Sequence, residues 1–317
     1  MKQRDNSIDI IAGILILYMI LGHCMQSAGM GEYTFNRPMI FLGFFMPWFF
    51  FKSGMYFTAD THSGKIMQLS KSLLVPFCKW TAIGFLAFLP RYLYNHDSDT
   101  LLVYLRNSIV NLIQIGSLPG NLPLWFLLTL FIVRVIANYI CIKKTVVFII
   151  MLVGLIIAYC CFVLKIEYPY YLANSSLGLF FYLLGYILKE YQYKKFVYIL
   201  SSLLYAAGVF YIASFVDMRS NTLISGYYLF WVIWSVGGII FIDNSIKYLS
   251  RYSCVWISLL KQIGLCSMNL YVKHWVLIIL LYFVFKQLLQ FTSTTYLSVL
   301  LIGQLILIFY ELKTNKV

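Results

Sequence analysis

Two histidines lie inside apolar stretches of this chain. His23 closes the run Ser7-Ile8-Asp9-Ile10-Ile11-Ala12-Gly13-Ile14-Leu15-Ile16-Leu17-Tyr18-Met19-Ile20-Leu21-Gly22-His23. His274 stands in Asn269-Leu270-Tyr271-Val272-Lys273-His274-Trp275. An ionisable group in such a run is unfavourable, so it marks a functional candidate. Imidazole is suited to taking and returning a proton near neutral pH. It can also act as a nucleophile. The structural alternative is a histidine hydrogen-bonded to a neighbouring helix. Tyr271 and His274 share a helix face at i, i+3, whereas Cys24 points about 100° away from His23, which argues against a Cys–His dyad.

Cations form the second group. Lys52, in Phe49-Phe50-Phe51-Lys52-Ser53-Gly54, is placed to snorkel to an interface or to meet an anionic ligand. Lys71, Pro76 and Lys79, with Lys65 just before them, read either as a topology signal or as a phosphate-binding mouth. Lys273 adjoins His274, and Arg134 sits inside a further apolar run. In Pro119-Gly120-Asn121-Leu122-Pro123-Leu124-Trp125-Phe126-Leu127 a turn opens a helix, since proline suits the first helical turn. Trp125 there is an interfacial anchor or the wall of a sugar site. The histidines lack carboxylate or thiol neighbours at metal-ligand spacing, so no metal is expected. The seven cysteines lie in or beside apolar runs and read as small buried hydrophobes.

These groups must be positioned by membrane helices. Hydrophobic residues make up 62% of the 317, charged residues 11%, and the mean hydropathy is +0.83. That composition excludes a soluble domain and predicts an all-α polytopic membrane protein. About ten spans of roughly 20 residues are predicted, near 8–28, 38–57, 73–94, 123–142, 145–165, 171–188, 195–216, 224–243, 267–289 and 296–312. The first is too long for a signal-peptide core and has no small-residue cleavage site, so it is expected to stay. The interrupted run 101–115 reads as interfacial or re-entrant. Residues 246–263, with Lys247, Arg251 and Lys261, read as an amphipathic surface helix.

The net charge of +13 reports topology rather than nucleic-acid binding. With the amino terminus in the cytoplasm, inner segments hold 14 of the 24 basic residues and outer segments 6. The other four, Lys52, Lys79, Arg134 and Lys273, fall within or beside spans. Both termini are therefore expected inside. His23 then lies about 22 Å above Ile8, in the outer half of the membrane. His274, about seven residues above the inner boundary, is expected deeper toward the cytoplasm. No linker or fixed-period repeat appears, so residues 1–317 read as one domain.

In order along the chain, these pieces resemble the acyltransferase 3 family of bacterial integral-membrane acyltransferases. The carriers are Ile8-Asp9…Gly13-Ile14…Leu21-Gly22-His23, the Phe-Phe-Phe-Lys-Ser-Gly of 49–54, Pro123-Leu124-Trp125-Phe126-Leu127, Leu183-Leu184-Gly185-Tyr186 and Leu270-Tyr271-Val272-Lys273-His274. The resemblance covers most of the chain. It implies transfer of an acyl group, commonly acetyl, from acyl-CoA to a hydroxyl of a surface polysaccharide or lipid-linked sugar. It implies His23 as the general base. The family's first span commonly carries a basic residue eleven positions before the histidine, and this chain has Ala12 there. On this reading Lys52, Lys79 and Lys273 become donor-binding candidates, and Trp125, Tyr271 and His274 acceptor-binding candidates. Membrane lipids and a glycan are the expected partners, in the bacterial cytoplasmic membrane. Two rival readings are an exporter of polysaccharide or lipid-linked glycan, with the interior cations lining a pathway, and a non-catalytic scaffold, suggested by Ala12.

Overall fold

Long apolar runs have one way to satisfy their backbone in lipid, which is to close every N–H and C=O within a helix. The computed structural model describes residues 6–31, 37–58, 67–95, 101–140, 144–166, 168–189, 191, 193–252 and 254–314, without the side chains of 37–39. Its helices are α1 (Asn6–Ser27), α2 (Phe45–Met55), α3 (Val75–Asn95), α4 (Leu101–Ile115), α5 (Trp125–Ile140) and α6 (Lys144–Val163). They continue with α7 (Tyr170–Leu188), α8 (Lys195–Phe210), α9 (Tyr228–Leu249), α10 (Val255–Leu265), α11 (Ser267–Leu281) and α12 (Ser293–Thr314). A short hairpin, β1 (Phe215–Asp217) and β2 (Thr222–Ser225), joins α8 to α9.

The protein is thus an all-α, multi-pass membrane protein. Among the described residues eight helices are long and apolar enough to cross a membrane. Two of the ten expected spans come out shorter. Ile40–Met55 is broken by a change from a 3₁₀ turn to α2, and Lys195–Phe210 stops at the hairpin. The expected surface helix over 246–263 is also two pieces. Residues 246–249 finish α9, where Lys247 pairs with Asp243 at 2.6 Å. The chain then breaks around Arg251 and resumes as α10.

The chain divides into two compact units. The first comprises Met1–Phe45, Tyr193–Phe215 and Ser225–Val317; the second comprises Met46–Gln192 and Val216–Ile224. In the first, α1 is the axis, with α9, α10, α11 and α12 packed on it. Its sequence explains that role, because small and branched side chains bury nearly every face from Ser7 to Ile16. In the second, α7 lies against α4, α5 and α6. Both units use glycine to bring helices into backbone contact, the usual device where no hydrophobic force separates helix from lipid. A Cβ on Gly54 would meet the Tyr182 carbonyl, and a Cβ on Gly185 the Phe51 carbonyl, so α2 and α7 approach backbone to backbone.

The candidate histidine site

The site in the first unit starts from a glycine crossing. A Cβ on Gly13 would collide with the Leu260 carbonyl oxygen, and one on Gly264 with that of Asp9. Thus α1 and α10 touch backbone to backbone, and only glycine fits at both positions. His23 stands ten residues after Gly13, and His274 ten residues after Gly264. Each rises about 15 Å from a common level. The two imidazoles consequently meet, with ring centroids 5.4 Å apart and planes inclined by 28°.

This overturns the expectation that His274 lies deeper than His23. The reason is α10. Instead of lying on a surface, it packs along α1 up to the level of Gly13, so α11 begins part-way along the bundle. Cys266 forms the joint between α10 and α11.

His274 is fully buried, at 0% exposure. Its Nδ1 lies 2.7 Å from the Tyr271 carbonyl oxygen and 3.2 Å from that of Leu270. Carbonyls only accept, so Nδ1 carries a proton, and in the neutral ring Nε2 then holds the lone pair. That Nε2 is buried with no hydrogen-bond partner among the described residues. Such an orphan invites a functional explanation. Gln304 from α12 donates to the His274 carbonyl at 3.1 Å, anchoring the backbone at the site.

His23 is half-buried, and it meets a second ring, that of Trp275, edge-on at 5.0 Å and 77°. No sequence motif marks Trp275; the signal for it is its position directly after His274. The end of α1 is held by Ser27, whose hydroxyl lies 3.1 Å from that of Tyr296, which in turn donates to the Ile278 carbonyl at 3.4 Å. Cys24 is fully buried while His23 is not, as expected for side chains that diverge.

The other candidates are placed as follows. Tyr271 is buried, its ring 6.2 Å from that of His274. Lys273 reaches Glu311 of α12 at 2.5 Å, and Glu311 is only 1% exposed. The Lys273 cation is therefore already offset by a buried carboxylate, which no sequence pattern indicated. Ala12 is fully buried. In the second unit, Lys52 lies over the Trp48 ring at 5.2 Å, while the exposed Lys79 lies 5.9 Å from the Trp80 ring. Trp125 is buried among α5 neighbours rather than exposed as an interfacial anchor. Arg134 reaches the Ser53 hydroxyl at 3.5 Å. Lys65 lies outside the described residues.

Taken together, the site holds one partly accessible imidazole, a second imidazole fixed by its own backbone and stacked on it, and an indole ring packed against the first. It can accept a proton and shelter the resulting charge. The model of an acyltransferase domain, that of the acyltransferase 3 family, matches residues 5–310, nearly the whole chain, and the chain belongs to this family. No curated protein and no solved structure matches it.

Proposed function

We propose that this member of the acyltransferase 3 family moves an acyl group, commonly acetyl, from acyl-CoA to a hydroxyl of a cell-surface polysaccharide or lipid-linked sugar. It works in the bacterial cytoplasmic membrane with both termini inside, residues 1–317 acting as one domain. The observation that carries the reading is the packing of His23 against His274 and Trp275.

In the proposed reaction the sugar hydroxyl attacks the thioester carbonyl as His23 takes its proton. A C–O bond forms, the C–S bond breaks, and His23 returns the proton to the leaving thiolate. A positive charge on His23 would be costly in an apolar surround. The indole ring packs against His23 at 5.0 Å and shields it on that side, and the neutral His274 adds no opposing charge. His274 is then a positioning residue, held by Tyr271 and Leu270. Beside His23 in the first unit, Lys273, shared with Glu311, is the donor-binding candidate and Tyr271 the acceptor-side one; the donor-binding roles of Lys52 and Lys79 and the acceptor role of Trp125 stay proposals from the family resemblance. No metal enters this scheme.

The test is mass spectrometry of surface glycans from cells with and without the gene, and with His23→Ala. Gene-dependent O-acyl esters that vanish in a folded, membrane-inserted His23→Ala variant support the reading. Esters that persist in that variant would sink it. A glycan that reaches the surface only with the gene, yet carries no ester, would point to the exporter instead.

A further inference from the structure

Two tyrosines flank Pro169 ahead of α7. The rings of Tyr168 and Tyr170 are parallel, with centroids 5.1 Å apart and planes within 2°. Tyr168 is 46% exposed, so one face of the pair is open. The β1–β2 turn stands beside it, because Asn174, one helical turn after Tyr170, hydrogen-bonds the Arg219 carbonyl.

This neighbourhood is built rather than incidental. Asn174, 1% exposed, donates to the Arg219 carbonyl at 3.1 Å and accepts from the Thr129 hydroxyl at 3.0 Å. Asn221 donates to the Ala158 carbonyl at 2.8 Å. Buried amides therefore pin the turn to α6 and α7. Both carboxylate oxygens of Asp217 are engaged within the turn, by the Arg219 N–H at 3.0 Å and the Ser220 hydroxyl at 3.1 Å. The half-buried Arg219 guanidinium has no hydrogen-bond or ion-pair partner among the described residues. A flat aromatic face beside an uncommitted forked donor suits a sugar, which offers an apolar ring face and polar substituents.

We propose that Tyr168, Tyr170 and Arg219 form a saccharide subsite. It holds one ring of the acceptor against the open tyrosine face and a hydroxyl or carboxylate of that ring on the guanidinium. The inference rests on the glycan-acceptor reading above, whose topology puts this loop and turn on the outer side. Its rival is an interfacial tyrosine belt.

The full chain in lipid nanodiscs would be titrated with oligosaccharides released from the surface polysaccharide of the cells that carry the gene. A belt tolerates any large apolar side chain, whereas stacking needs a ring. Tyr168→Leu should raise the Kd about tenfold and Tyr168→Phe should leave it near wild type. Arg219→Gln should weaken binding and reduce its salt dependence. Tyr168 is exposed, so its variants leave the buried anchors intact. Equal affinity in Tyr168→Leu and wild type, or no binding by wild type, would overturn the subsite. Binding without any ester on the glycan keeps the subsite and removes acyl transfer. Undiminished ester in Tyr168→Leu keeps acyl transfer and removes the subsite.

Discussion

Gly13 and Gly264 meet where α1 crosses α10, and the ten residues that follow each of them bring His23 and His274 to the same height. The contact lies about 15 Å from the rings, yet it decides whether they stack. Its position makes it testable apart from the chemistry.

Alanine at either glycine forces the helices apart. We expect Gly13→Ala and Gly264→Ala each to destabilise the protein by about 1–3 kcal/mol, as overpacking does. The double variant should cost less than the two single losses together, because both act at one crossing. Thermal unfolding of purified protein in detergent reads this. Strict additivity would mean that the two glycines do not share a contact.

Loss of the proposed base should be severe and local. His23→Ala is expected to lower acyl transfer about 10²–10⁴-fold, the usual worth of general base catalysis. The unfolding midpoint should scarcely move, since His23 is half-exposed. A large fall in that midpoint would make His23 a structural residue.

His274 should respond differently. Its Nδ1 is bonded to two carbonyls of its own helix, and the proposed mechanism makes it a positioning residue for His23. His274→Leu should cut kcat about tenfold or more and leave KM for both substrates near wild type, whereas His274→Gln, which keeps a polar donor, should restore part of kcat. A rise in KM with kcat unchanged would instead put His274 in contact with substrate.

The Lys273–Glu311 pair separates stability from donor binding. Glu311→Gln leaves Lys273 without its buried counter-ion and should destabilise by about 3 kcal/mol. The double variant Lys273→Met/Glu311→Leu should be more stable than Glu311→Gln. If the cation also meets donor phosphates, Glu311→Gln lowers KM for acyl-CoA and Lys273→Met raises it. Unchanged KM in both would confine the pair to holding α11 against α12.

Lys52 and Lys79 give a matching electrostatic prediction. Lys52→Gln and Lys79→Gln should raise KM for acyl-CoA and flatten its dependence on salt, because fewer charges remain to be screened. Kinetics from 50 to 300 mM salt would show it. An unaltered salt dependence in both variants would leave these lysines as topology signals alone.

The membrane fold is legible in the amino-acid order, because roughly 20-residue apolar runs have no other way to satisfy their backbone in lipid. That order also determined which side chains were anomalous there: His23, Lys52, Arg134, Lys273 and His274. Spacing within one helix was equally legible, so the shared face of Tyr271 and His274 and the divergence of Cys24 from His23 followed from 3.6 residues per turn. Tertiary structure alone decided that His274 stacks on His23, that Lys273 is held by Glu311, and that Trp125 is buried. Each of these depends on a neighbour brought in by packing. The level of His274 hangs on a glycine contact between residues 13 and 264, and the state of Lys273 on a carboxylate 38 positions away. Helical periodicity orders residues around one axis; the height and partner of each residue are set by the helices packed against it.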